Sequence, residues 1–239
     1  MRRSTAFGLT AAGVAVALVA GLSIAWPGLD AQRTPPTGTT AWVLQADGLR
    51  YARVNTAIDE LDTVRSVSNR SRVVQAGAAS YMFTDGDAKV IRIDDAIPTD
   101  LDAEGMREAA SAPAGTEEVD TAGDFVAYRT DTGAIYAGTL SSGRVTEIDP
   151  NSADKDARAY TSDAIAVDAE GRLFSYSSAD GSVIRADVTT ASVERRDTVQ
   201  GSIGTPTLTA AGGDWVLVDT ASGEYWSKDA SGASAGTSG

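Results

Sequence analysis

Short apolar segments followed by glycine-containing turns recur along the chain from residue 41 onward. The pattern predicts five strands, at Trp42–Leu44, Tyr81–Phe83, Phe125–Tyr128, Ala164–Val167 and Trp215–Val218. Each is followed by a turn and a second strand, and the turn glycines are Gly48, Gly86, Gly133, Gly171 and Gly223. Glycine accepts at little cost the positive φ that tight hairpin turns require. The pattern is therefore that of five β-hairpins.

Most of these hairpins place an aromatic residue three positions after the turn glycine. The second hairpin has Lys89 there, and the others have Tyr51, Tyr136, Phe174 and Trp226. Two units continue into a further hairpin, through Ser142-Gly143 and Asp180-Gly181. Units of roughly 40 to 50 residues made only of strands and turns have the period of β-propeller blades. Because a blade buries its apolar face only against a neighbour, we expect the aromatics to pack between blades.

The repeats occupy residues 41–226, and a tail rich in Ser, Gly and Ala follows at residues 227–239. We predict an all-β fold, a propeller-like array of four to five blades, with a two-sheet β-sandwich as the alternative. Many propellers have six to eight blades, so the predicted array can be an incomplete ring. The tail after Trp226 offers no strand to complete the fifth hairpin, so we expect the chain to be a piece of a longer protein. Residues 41–239 alone should then expose an apolar blade face.

An apolar run without charge, from Ala6 to Trp26, precedes the repeats and follows Arg2 and Arg3. As a helix it would be about 31 Å long, enough to cross the hydrocarbon core of a membrane. The paired arginines would mark its cytoplasmic end. Residues 1–26 are therefore predicted to be a signal-anchor. The alternative is a cleaved signal peptide, because Ser23-Ile24-Ala25 forms a small-x-small cleavage site.

Residues 27–40 read as an extended spacer, because they are rich in Pro, Gly and Thr and include adjacent prolines at positions 35 and 36. With the anchor before it, this spacer would hold the repeats outside the cell. We expect a single-pass protein of the cell membrane that contacts the membrane through the N-terminal helix only. If the signal were cleaved, the protein would be secreted.

Two repeats carry a resemblance to a known family. The third reads Phe125-Val-Ala-Tyr-Arg-Thr-Asp-Thr-Gly133-Ala-Ile-Tyr136, and the fourth reads Ala164-Ile-Ala-Val-Asp-Ala-Glu-Gly171-Arg-Leu-Phe174. Both resemble the repeat of the quinoprotein-like β-propellers. The order of anchor, spacer and repeats is similar to that of large exported actinobacterial proteins in which a propeller precedes fibronectin type III or immunoglobulin-like domains. No cofactor-ligand motif of the quinoprotein dehydrogenases is matched, so the resemblance implies the propeller and not its redox chemistry.

Composition narrows the chemistry further. The chain has 33 acidic and 20 basic residues, and beyond residue 40 it has 32 and 17. Binding of nucleic acid by neutralising phosphates is therefore not expected. The chain has no Cys and no His, which excludes disulfides, thiolate nucleophiles, thiolate or imidazole zinc sites and the commonest general base. We expect no catalytic, cofactor-binding or metal-binding residue and no cofactor.

Three short motifs imitate functional sites without their context. Gly232-Ala-Ser234-Ala-Gly236 spells the nucleophile elbow, but it lies in the tail and has no histidine to serve it. Ser152-Ala-Asp-Lys155 matches S-x-x-K without the companion K-T-G element. Asp149 to Asp156 is acidic, but Ala153 and Asp154 break the EF-hand spacing. We interpret the first two as chance matches and keep an adventitious calcium site as the minor reading of the third.

The segment from Asp94 to Asp120 is rich in carboxylates and has a single basic residue, Arg107. We interpret it as a solvated loop, with weak cation binding as the alternative.

These patterns favour a binding or scaffolding module of the cell envelope whose partner is an envelope protein or glycan. The alternative is a carboxylate-dependent glycosidase or lyase acting on envelope polysaccharide, because that chemistry needs neither His nor Cys. Asp131, Asp168 and Glu170 are acids at predicted turns, where acids are common in any case. Acids clustered in a channel or cleft would favour the enzyme, and dispersed acids would favour the binding module.

Overall fold

A computed structural model describes residues 40–45, 49–69, 72–152, 159–211 and 213–228. The predicted anchor, the predicted spacer up to residue 39, Gly48 and the G-x-S-x-G motif of the tail lie outside the described residues. So does most of the S-x-x-K match and of the EF-hand-like segment, from residue 153 to residue 158. No helix in the described part of the chain has the length and apolarity that a membrane crossing needs.

The described residues form eighteen β-strands. In chain order they are β1 (Thr40–Gln45), β2 (Arg50–Asn55), β3 (Glu60–Ser66), β4 (Arg72–Ala76), β5 (Ala79–Thr84), β6 (Lys89–Ile93), β7 (Ala110–Ser111), β8 (Thr116–Ala122), β9 (Phe125–Thr130), β10 (Ile135–Thr139), β11 (Arg144–Ile148), β12 (Ala164–Val167), β13 (Arg172–Ser177), β14 (Ser182–Asp187), β15 (Ser192–Thr198), β16 (Pro206–Ala211), β17 (Asp214–Asp219) and β18 (Tyr225–Ser227).

These strands form five separate antiparallel sheets, in each of which strands that follow one another along the chain are neighbours. We call them blades 1 to 5. Blades 2, 3 and 4 have four strands each, and blades 1 and 5 have three among the described residues. The prediction of an all-β array of four to five blades is confirmed. The β-sandwich alternative is wrong, because two facing sheets would be required and five successive sheets are present.

The hydrophobic core lies between the blades. It consists of four clusters, and each is built mainly from the facing sides of two consecutive blades. Three of the predicted interblade aromatics are buried in these clusters, namely Tyr51, Phe174 and Trp226. The fourth, Tyr136, is half-buried against the cluster between blades 2 and 3. The prediction that these aromatics pack between blades is therefore confirmed.

The structure corrects the alignment of the fourth repeat by one strand. Gly86, Gly133 and Gly223 follow the second strand of their blades, whereas Gly171 follows the first strand of blade 4. The counterpart in blade 4 is Gly181, which follows β13. The error has a physical reason, because β12 is fully buried and ends at a glycine turn of its own. A buried first strand and a buried second strand look alike in sequence.

Most carboxylates of the acidic segment before blade 3 are exposed, as its composition predicts, but the segment is not a free loop. Residues 94–108, which we call the strap, connect β6 to β7 and lie against blade 1. Leu101 and Met106 of the strap are buried in the cluster between blades 1 and 2. Leu101 also forms a parallel bridge with Val67, where the backbone nitrogen of Leu101 donates to Ser66 at 2.9 Å.

The strap is held against blade 1 by hydrogen bonds in addition to its apolar contacts. The backbone nitrogen of Ser66 donates to Asp100 Oδ1 at 2.8 Å. The indole nitrogen of Trp42 donates to Asp95 Oδ1 at 2.8 Å, and Tyr51 donates its hydroxyl to the carbonyl of Thr99. The carboxylates of this segment therefore serve partly as acceptors for blade 1. The rest of the predicted loop contributes β7 and β8.

Candidate functional site

The carboxylates of the described residues are dispersed. Among these residues no group of three or more Asp or Glu side chains is arranged to hold a metal ion. Many of them instead pair with an arginine of the same blade or the next one. Such pairs, with their N–O distances, are Arg53–Asp62 (2.8 Å), Arg72–Asp87 (3.0 Å), Arg129–Glu118 (2.9 Å), Arg185–Glu194 (3.0 Å) and Arg195–Asp214 (2.9 Å).

Two of the three turn acids considered for glycoside hydrolysis, Asp168 and Glu170, have structural partners for their carboxylates. Arg172 lies between Asp168 and Glu170 and contacts their oxygens at 2.5 and 2.8 Å. Its hydrogen bond with Asp168 raises the pKa of Arg172. Asp168 also accepts the backbone N–H groups of Glu170 and Arg172, at 3.0 and 2.9 Å. Asp131 lies in blade 3, where its backbone nitrogen donates to Gly115. Asp168 and Glu170 thus share one arginine and stabilise the turn between β12 and β13.

The buried carboxylate of Asp219 accepts several hydrogen bonds from blade 5 and the segment before it. It accepts the backbone N–H groups of Thr205 and Ala221, both at 3.0 Å, and the hydroxyl of Ser222 at 3.0 Å. These backbone hydrogen bonds lower the pKa of Asp219, so the group stays ionised. A general acid of a glycosidase needs the opposite shift, towards a protonated carboxyl at neutral pH. Asp219 therefore ties the entry of blade 5 to its β17–β18 turn.

A groove between blades 4 and 5 has a volume of about 270 Å³. Its walls include Trp215, Trp226, Asp197 and Lys228. Polar groups at this groove already have hydrogen-bond partners. The indole nitrogen of Trp215 donates to Asp197 at 3.1 Å, and Lys228 donates to Asp214 at 3.0 Å. The groove has polar walls whose charges are already paired.

A second pocket, of about 320 Å³, lies between blades 2 and 3, and we call it the 2/3 pocket. Its lining combines an apolar floor with polar side chains: the floor includes Tyr81, Val90 and Leu140, and the polar residues are Arg92, Glu108, Ser141 and Ser142. Arg92 forms no ion pair with any carboxylate of the described residues, whereas eight other arginines do. Sequence reasoning missed this residue because nothing near Arg92 in the chain marks it as facing a pocket.

The outward side of blade 1, away from blade 2, is apolar. Strand register places Val43, Ala52 and Val64 in one row across the sheet, and Ala41, Val54 and Leu61 in the next. Val43, Leu61 and Val64 are 43%, 60% and 46% exposed. None of the hydrophobic clusters of the described residues includes this side.

Comparison with known proteins identifies the fold. No protein-family model matches the chain, and no curated protein matches it. Virginiamycin B lyase from Staphylococcus aureus superposes with a TM-score of 0.50 at 13% identity, over 82% of this chain and 65% of that one. Kluyvelomyces marxianus Hsv2 gives 0.57 at 7% identity, over 79% and 56%. The N-terminal domain of Nup159 gives 0.51 at 9% identity, over 76% and 50%.

These similar structures are β-propellers, and at such identities they show the fold alone. The chain spans between half and two thirds of the length of each of them. The quinoprotein-like resemblance of the repeats is thus supported as far as a propeller.

Proposed function

We propose that this protein is a binding or scaffolding module of the cell envelope whose partner is an envelope protein or glycan. The observation that carries the proposal is the dispersal of its carboxylates. Asp168, Glu170 and Asp219 are bound to an arginine or to backbone amides, whereas a glycosidase needs two carboxyl groups facing each other across the substrate. The propeller fold supports the proposal at the coarser level, since it provides pockets between blades where ligands bind.

The position outside the membrane rests on the sequence. The apolar run from Ala6 to Trp26 after two arginines and the likeness to exported actinobacterial proteins with fibronectin type III domains support it. Protease added to intact cells is expected to digest the chain beyond Thr40, and the same cells after lysis serve as the control. Digestion only after lysis would show that the domain faces the cytoplasm.

The binding role is tested by capture of envelope material on the full chain in detergent micelles. We expect a glycan or protein of the cell wall to be retained in 0.5 M salt, where attraction between exposed charges is largely screened. Retained glycans are then incubated with the chain, and their reducing ends are counted over time.

We expect no new reducing ends. Their release would identify the carboxylate-dependent enzyme instead, a possibility worth testing because one of the similar propellers is a lyase. Loss of all retained material at 0.5 M salt, with retention only at low salt, would contradict specific binding. The same chain unfolded by heat is the control for nonspecific adsorption.

A further inference from the structure

Arg92 is an exposed residue at the rim of the interface between blades 2 and 3. It lies on β6 directly opposite Tyr81 of β5, and residues directly opposite in an antiparallel pair point to the same side of the sheet. The next pair on the same side of the sheet, Val90 and Phe83, is buried in the cluster between blades 2 and 3. Arg92 therefore continues an apolar row that faces blade 3, but it does so with a guanidinium group at the 2/3 pocket.

The surroundings leave this guanidinium available. Eight other arginines of the described residues are within 4.0 Å of a carboxylate, and Arg92 is not. Arg50, Arg65 and Arg144 also lack such a pair among the described residues, but of these four arginines Arg92 is the one that lines the 2/3 pocket. Arg92 also borders a shallow depression formed by Ile93 to Ala96, so both of its flanks face solvent-filled space.

The rest of the pocket supplies complementary groups. Glu108 presents a carboxylate from the end of the strap. Ser142 lies in the β10–β11 turn of blade 3, where its hydroxyl already accepts the backbone nitrogen of Arg144 at 3.1 Å. Ser141 is bound to Asp124, which keeps that second acid occupied. The floor of Val90 and Leu140 is apolar and buried.

We propose that the 2/3 pocket binds one carboxylated sugar residue, with its carboxylate on Arg92, its hydroxyls on Glu108 and its ring on the floor of Val90 and Leu140. Arginine binds a carboxylate through two parallel N–H donors, a geometry that fixes orientation as well as charge. A volume of about 320 Å³ is at the lower end for small-ligand pockets, which suits one sugar ring. This inference rests on the proposed glycan-binding function and names the sugar class it takes.

The charges at the 2/3 pocket disfavour two related classes of ligand, namely neutral sugars and ligands with several carboxylates. A neutral sugar would leave the charge of Arg92 unused. A ligand with several carboxylates close together would meet Glu108 and the negative field of the domain. A uronic acid unit in an otherwise neutral glycan satisfies both conditions.

The test compares two ligands that differ only at one carbon of the sugar, methyl β-D-glucuronide and methyl β-D-glucoside. Ligand-observed NMR with the full chain in micelles measures both dissociation constants at fixed ionic strength. We expect the glucuronide to bind at least tenfold more tightly than the glucoside, and acetate at equal concentration not to displace it.

Variants locate the effect. Arg92→Gln is expected to reduce the preference for the glucuronide to less than twofold. Arg92→Lys should leave an intermediate preference, because lysine keeps the charge but lacks the two parallel N–H donors of the guanidinium group. Arg50→Gln, which removes an exposed arginine from blade 1, is the matched control and should keep the full preference. Circular dichroism melting curves check that all three variants are folded.

Equal binding of both glycosides by the unaltered chain, or an undiminished preference in Arg92→Gln, would overturn the inference. Displacement by acetate would show that the pocket takes any carboxylate and would overturn the sugar assignment. These failures are distinct from failure of the proposed function. If envelope glycans are captured but Arg92→Gln captures them equally, only the assignment of the pocket is wrong.

Discussion

Replacing Phe174 with alanine is expected to lower the free energy of unfolding by about 3 to 5 kcal/mol. Phe174 is fully buried on β13, in the cluster between blades 4 and 5, where Trp215 and Leu217 belong to the facing blade. The substitution loses the transfer free energy of the ring and leaves a cavity that the strands on both sides cannot fill. Domains have a total stability of only about 5 to 15 kcal/mol, so this is a large fraction of it.

Urea denaturation of the full chain, followed by tryptophan fluorescence, measures the effect. Trp215 and Trp226 lie in the affected cluster and report on it directly. The control is Ile58→Ala in the turn after β2, where Ile58 is 59% exposed and the expected change is within about 0.5 kcal/mol. If the two substitutions had equal effects, the interface between blades 4 and 5 would not be the source of stability inferred here.

The blade-to-blade core is the part of the structure that the sequence predicts best. A turn glycine and an apolar strand are local signals, and Phe174 and Trp226 appear at positions that any strand-and-turn unit must bury. The number of blades follows from the count of such units. It is harder to predict which strand of a blade each turn follows, because the turns at Gly171 and Gly181 both follow buried strands.

The strap and the 2/3 pocket depend on contacts between residues distant in sequence. Composition correctly marks residues 94–108 as acidic, but only the structure shows that Leu101 and Met106 are buried and that Asp95 and Asp100 accept hydrogen bonds from blade 1. Likewise, Arg92 becomes a candidate ligand-binding residue only when register places it opposite Tyr81. The sequence predicts that consecutive blades pack together, but it has no local signal for the strand register that places Arg92 at the 2/3 pocket.

Gly138 is a residue that the sequence does not single out and the structure makes indispensable. It lies in the middle of β10, paired with Val126 on one side and Val145 on the other, and it does not adopt a positive φ. A Cβ added there would overlap the carbonyl oxygen of Arg144 and lie 3.0 Å from the Cα of Val145. Both are backbone atoms of β11, which cannot move away without breaking its ladder with β10.

Gly138→Ala is therefore expected to destabilise the protein by about 3 kcal/mol, at the upper end for overpacking. The matched control is Gly77→Ala, whose Cβ would meet nothing within 4 Å but whose φ of +61° carries the left-handed penalty of about 1 to 2 kcal/mol. Gly138→Ala should be the more destabilising of the two in urea denaturation, although only Gly77→Ala carries the left-handed penalty. Hydrogen exchange should show the loss of protection concentrated in β10 and β11. If Gly138→Ala were no more destabilising than Gly77→Ala, the close approach of these two strands would be wrong.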